Sequence, residues 1–142
     1  MPSWTGKTVI DATNAFGVPP EELKGLLSSA FVAKAFTGAK LVKGFNHLGA
    51  AVLATDPVVE GGHRVVFLSS DDEDATAPVA ALAKQLGFAP VKLGKLNEGG
   101  ALVHARGRTW VSSSSRICSR SSSNQSTTVR FCPKKDGSET SD

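Results

Sequence analysis

The chain has 142 residues, 40% hydrophobic and 20% charged, with a net charge of +3, which suits one modest domain and leaves little room for a second. It has no apolar run of about 18 residues and no basic start followed by an apolar segment, so neither a membrane span nor a secretory leader is read and a cytoplasmic location is expected. The two cysteines, Cys118 and Cys132, lack C-x-x-C spacing and a nearby histidine, which argues against a zinc site or a disulfide framework.

Taken in chain order, "KTVIDAT" at 7–13 is a short β-branched run that ends in polar residues. "AKLVKGF" at 39–45, "HRVVFLS" at 63–69 and "FAPVKLG" at 88–94 repeat that form. The intervals are wide enough for helices. One is expected over Glu21–Phe36 with a break at Gly25, and a short one from Gly99 to about Arg106. Between Asp74 and Leu86 the residues Ala75, Val79, Leu82, Ala83 and Leu86 form one apolar stripe, with Gly87 placed as a C-cap. Pro78 lacks an amide donor and should push the firm start of that helix to Ala75 or later. Strands alternating with helices imply parallel pairing and an α/β layer.

A seam follows near Trp110. Residues 1–110 carry 11 Lys and Arg against 10 Asp and Glu, whereas 111–142 carry five against three and hold 11 serines. That segment shows no clear period and few apolar residues, so it is expected to be disordered. The division expected is a domain over 1–110 and a Ser/Arg-rich tail over 111–142.

In open α/β sheets ligands sit beyond the carboxyl ends of the strands. Those positions read Thr13-Asn14, Phe45-Asn46-His47, Ser69-Ser70-Asp71 and Gly94. Asn14 and Asn46 each carry donors and acceptors that suit a carboxamide or a ring edge; the alternative for each is a cap on its own turn. His47 titrates near neutrality, but no carboxylate or cysteine stands at a telling distance from it, so a surface or capping role is the other reading. The acids Asp71 to Asp74 precede a helix, where free amides and the macrodipole stabilise them, and no metal is assigned. Lys40 and Lys43 read as surface charges flanking a strand, with Lys43 placed to meet an anionic ligand.

Four blocks in order, "VIDATN", "GAKLVKGFN", "RVVFLSSDDEDA" and "LAKQLGFAPVKLGKL", resemble the C-terminal half of the NADP-binding oxidoreductases related to the deazaflavin (factor four-twenty)-dependent NADP reductase. They are also similar to the cytosolic oxidoreductase domain of the six-transmembrane metalloreductases. The resemblance covers about residues 4 to 110, and four ordered blocks are more specific than any one motif. It implies a Rossmann-like α/β domain that moves hydride between NADPH and a deazaflavin, flavin or small organic acceptor. Phe45 and Asn46 would then lie beside the nicotinamide, Asn14 would face the same cleft, and His47 would complete the cofactor-binding set.

The chain departs from that pattern in several places. The family's strand, G-x-G-x-x-G turn and helix, which hold the pyrophosphate, have no counterpart in this sequence. The resemblance therefore implies an incomplete Rossmann-like sheet, weak or absent NADP binding, and a partner in the form of a second copy or a complementing N-terminal half. Ala15 stands where the family favours proline, Gly44 where alanine is usual and His47 where threonine is common. Val111–Arg120 can be back-translated so that the frame starting at the third base encodes an apolar LLIFQDLFK segment, so residues 111–142 are expected to be a frameshift product and the start a truncated one. The alternative is a non-catalytic half-domain or binding module whose Ser/Arg tail contacts RNA or a partner protein. With three arginines and no repeated dipeptide in the tail, nucleic acid is the lesser expectation.

Overall fold

The structure, a computed structural model, describes residues 3–59 and 61–104 and the backbone of two further strands, Ile117–Ser121 and Thr127–Phe131. The seam at Trp110, Arg106 and Cys132 lie outside the described residues.

β1 (Thr8–Asp11) and β2 (Lys40–Gly44) pair in parallel, with Asp11 level with Lys43. A 3-10 turn at Pro20–Leu23 and α1 (Ser28–Ala35) connect them. The break expected at Gly25 is there: Lys24 and Gly25 both take left-handed backbone angles and separate the two pieces. β4 (Gly62–Ser69) lies centrally, pairing with β5 (Ala89–Lys92) in parallel and with the short β3 (Val58–Val59) as a hairpin.

The expected parallel pairing holds for β1–β2 and β4–β5 but not between β2 and β4, which meet antiparallel through Lys43↔Ser69 and Gly44↔Leu68. The link between them holds only α2 (Ala50–Leu53) and the β3 hairpin, too little for the crossover helix that a parallel return requires. The result is an open, Rossmann-like α/β sheet of mixed pairing, with β1–β2 and β4–β5 parallel.

α3 (Glu73–Gln85) covers one face of this sheet. Val42, Val66 and Leu68 project onto it and meet Ala75, Val79 and Ala83, with Leu48 and Phe88 closing the ends. Two details of the expected helix differ. It starts at Glu73, because the Asp72 carboxylate accepts from the amides of Asp74 and Ala75 and secures the first turn. Pro78 sits inside it on the exposed side, where the carbonyl that loses its donor is Asp74's, in the solvated first turn. The buried stripe is also narrower than expected: Ala75, Val79 and Ala83 are buried, whereas Leu82 and Leu86 stay exposed. Gly87, at φ +86, ends the helix with its amide on the Lys84 carbonyl, as expected.

α4 (Gly99–Leu102) lies close to the ends of β4 and β5. A Cβ at Gly99 would fall 1.8 Å from the Leu93 carbonyl oxygen, so this approach needs glycine there; one at Gly100 would make a tight 3.1 Å contact with the Ser69 Cβ. Within the segment expected to lack order, β6 (Ile117–Ser121) pairs with β4, and β7 (Thr127–Phe131) pairs with β6. The stretch "TTVRF" is rich in β-favouring residues over a length too short to stand out from the serines around it, and pairing with β6, itself on β4, supplies partners for its backbone groups. No helix among the described residues is long and apolar enough to cross a membrane.

Candidate functional site

Two loops, one after β1 and one after β2, form the site, and a buried ion pair ties them together. Lys43 Nζ donates to Asp11 Oδ2 at 2.9 Å with both side chains out of solvent, and also donates to the Thr13 carbonyl. The other carboxylate oxygen of Asp11 accepts from the Thr13 amide at 2.9 Å and the Thr13 hydroxyl at 2.6 Å. Burial pushes the Asp11 carboxyl upward, but the Thr13 hydroxyl, the Lys43 ammonium and the Thr13 amide outweigh it and hold the group below the usual carboxylate value. Lys43 is therefore not the surface charge its sequence context suggests. A charged residue at the last inward position of two neighbouring strands, Asp11 after Val9 and Lys43 after Leu41, is the sequence signal for such a pair.

Thr13, held this way, presents Asn14. Its Nδ2 donates to the Asn46 carbonyl at 2.7 Å, and its Oδ1 accepts from Asn46 Nδ2 at 3.1 Å. Asn46 Nδ2 donates as well to the Val103 carbonyl at 3.0 Å, just past α4. These two bonds fix the orientation of the Asn46 amide, because both partners accept only. Asn46 is 4% exposed and its Oδ1 has no donor among the described residues. A buried amide oxygen left in this state is uncommon in a folded protein.

The structure brings Asn14 and Asn46 together and sends Phe45 and His47 elsewhere. Phe45 has φ +64, a left-handed angle that a bulky side chain seldom adopts. The angle turns the chain sharply at the end of β2. Phe45 packs into the α3-side core, edge-on to Phe88 at 6.0 Å between centroids. His47 turns to β4, where its Nε2 donates to the Val65 carbonyl at 3.2 Å and its ring lies on Phe67 at 4.9 Å. β2 pairs with β4 only at Leu68 and Ser69, so this imidazole serves part of β4 that β2 leaves. Burial pushes the His47 pKa down to about 4 against the weaker lift from the Val65 bond, so the ring is neutral near pH 7.

Asn14 also lines a cavity of about 330 Å³ with Thr13, Val18, Glu22, Ser28 and Phe31, a size within the range of small-molecule sites. Ser28 begins α1 and its hydroxyl meets His104 Nε2 at 3.3 Å, so the chain after α4 closes on the cavity wall as well as on Asn46. Sequence reasoning did not find Ser28, Phe31 or the Val103 carbonyl, which carry no motif. The acids after β4 hold the fold: Asp72 caps α3 and pairs with Lys40 at 3.2 Å, and Asp71 accepts from the Leu96 amide at 3.1 Å.

No known protein-family profile matches the chain. By sequence it is similar to mouse metalloreductase STEAP2, 35% identical over 94 residues that make up 65% of this chain and 18% of that protein. Rat metalloreductase STEAP3 is 32% identical over 92 residues, 64% of this chain and 18% of its own length. Among solved structures, a hypothetical protein from Sinorhizobium meliloti matches with a TM-score of 0.70 at 46% identity, over 75% of this chain and 53% of that one. A protein provisionally assigned as an F420-dependent NADP reductase from Arthrobacter sp. FB24 matches with a TM-score of 0.50 at 29% identity, over 66% of this chain and 46% of that one. The named relatives are the two kinds of reductase that the four sequence blocks resemble. The chain spans 53% and 46% of the two solved chains and 18% of the metalloreductases.

Proposed function

From a chain similar over 66% of its length to a protein provisionally assigned as an F420-dependent NADP reductase, we propose that this protein is part of a cytoplasmic NADP-dependent oxidoreductase in which Asn14 and Asn46 hold the nicotinamide end of the cofactor. The observation that carries this reading is the buried Asn46 Oδ1, which has no donor among the described residues and lies beside Asn14, itself on the cavity wall. A carboxamide offers an N–H to such an oxygen and a carbonyl to a neighbouring donor, so the residues present suit this end of the dinucleotide. The sequence has no G-x-G-x-x-G turn, and the reading is confined to the nicotinamide end of the cofactor.

When bound, NADPH supplies the hydride; the protein supplies orientation and a dry site. The paired asparagines fix the rotation of the carboxamide, and with it the face a planar acceptor such as a deazaflavin or flavin meets. The apolar side chains of Val18, Leu23 and Phe31 line the cavity and offer surface for a planar ring to pack on. Neither Asn titrates, which suits a transfer governed by distance and alignment more than by acid–base chemistry. Phe45 supports the loop from the core side, and His47 anchors it to β4.

Nicotinamide mononucleotide and adenosine 2′,5′-bisphosphate separate the two ends of the cofactor. In a spectrum that resolves side-chain amides, the mononucleotide is expected to shift Asn14 and Asn46 in a saturable way, and the bisphosphate to leave them in place. Unmoved asparagine amides at saturating mononucleotide would sink the assignment.

A further inference from the structure

The mutual contacts of Asn14 and Asn46 depend on where Thr13 sits, and Thr13 is held by Asp11 and Lys43, which do not themselves line the cavity. We infer that Lys43 is a positioning residue for the nicotinamide site: it binds the Asp11 carboxylate and the Thr13 carbonyl together, and so sets Asn14 against Asn46. This inference deepens the reading above and rests on it only for the identity of the ligand.

The geometry supplies the argument. Asp11 and Lys43 are level in the parallel β1–β2 ladder, and Lys43 is level with Ser69 across the antiparallel β2–β4 pair. The three side chains therefore form one row across the sheet on the face away from α3. All three are buried. A lone buried ion pair is poor value for stability, because desolvation consumes most of its Coulombic gain. Here the ammonium does more than neutralise a carboxylate: its second bond goes to the Thr13 carbonyl, one residue before Asn14. Asp11 in turn takes both donors of Thr13. Thr13 is thus held at its carbonyl, amide and hydroxyl, and Asn14 leaves it with a fixed direction. At the far end of the row Gly100 packs on Ser69, which seats α4 and, beyond it, the Val103 carbonyl that receives Asn46. One buried row orients both partners of the amide pair.

Stability and positioning can be separated by two variants. Lys43→Met removes the ammonium and leaves a buried carboxylate. The double variant Asp11→Leu with Lys43→Met replaces the pair by apolar groups, an exchange that commonly preserves stability, and it serves where the single variant fails to fold. The double variant is expected to melt near the wild-type temperature while the side-chain amide signals of Asn14 and Asn46 collapse towards the positions of solvent-exposed asparagines. Val79→Ala, a core change on the α3 side, should lower the melting temperature and leave those signals in place. Asparagine amides at wild-type positions in a folded double variant overturn the inference. Titration with nicotinamide mononucleotide then tests the ligand separately: about a tenfold loss of affinity is expected alongside the collapsed amides. Collapsed amides with no change in affinity keep Lys43 as the positioning residue and remove nicotinamide as the ligand.

Discussion

The two faces of the sheet are built on different principles. Towards α3 the contacts are apolar and interchangeable in kind: Val42, Val66 and Leu68 against Ala75, Val79 and Ala83. On the other face a polar row, Asp11, Lys43 and Ser69, lies under short segments, and His47 rests on Phe67 beside it. The first face contributes to folding through apolar area removed from water, as do Leu41 and Val65 on the second. The polar row returns little of what its desolvation costs and fixes directions instead. The α3 side packs as an apolar cluster, whereas the other side sets a polar row among buried apolar residues such as Leu41 and Val65, and the functional loops hang from the side that carries the row.

The sharpest break in this comparison is Lys43→Met, which should cost about 3–5 kcal/mol by stranding the Asp11 carboxylate, read as a fall in the urea midpoint. On the opposite face Leu68→Ala should cost about 2–5 kcal/mol through a cavity under α3, with the slope of the urea curve unchanged. The two losses are similar in size and different in pH dependence, since only the first involves a titrating group.

Acid separates the faces further. His47 is neutral in the fold with its pKa down at about 4, so the unfolded chain takes up the proton first as pH drops below 6.5. Stability is whole above pH 6.5 and falls by about 3 kcal/mol on the way to pH 4. His47→Gln should flatten that limb in a pH series of thermal melts. Asp11, held below its usual value, adds a second loss at lower pH, present above 3.8 and removed as pH falls through its folded value.

Smaller effects sharpen the contrast. Asp72→Ala should cost about 1 kcal/mol by freeing the first amides of α3. Ser69→Ala should be neutral or stabilising by up to about 1 kcal/mol, because the buried Ser69 hydroxyl has no partner among the described residues. A measurable loss there would show that the row holds a further contact.

Much of the apolar face was legible in the sequence, because hydrophobic period and turn residues are local signals. The strands β1, β2, β4 and β5, the break at Gly25 and the Gly87 cap are read from a few neighbouring residues each, whereas β6 and β7 lie in the segment expected to lack order. The polar face was less legible. Lys43 reads as a surface charge until Asp11 is placed beside it, and that adjacency arises from strand pairing across 32 residues. The antiparallel turn between β2 and β4 was hidden for the same reason, as it depends on how little helix the connecting segment forms. Of the four side chains singled out at the loop tips, Asn14 and Asn46 meet each other, which residue type alone left open. The separation of Phe45 and His47 from them follows from one backbone angle that no pattern of residues announces.

That angle at Phe45 makes "FNH" three instructions and not one motif. Phenylalanine is addressed to the α3-side core, asparagine to the loop partner and histidine to β4, and the assignment depends on counting positions from the turn. A single residue inserted or deleted between Gly44 and His47 would leave the composition of the loop almost intact and redirect each of the three. For this loop, spacing therefore carries more information than identity, and a relative that keeps the length while changing the third residue preserves more of the arrangement than one that keeps all three letters and shifts them by one.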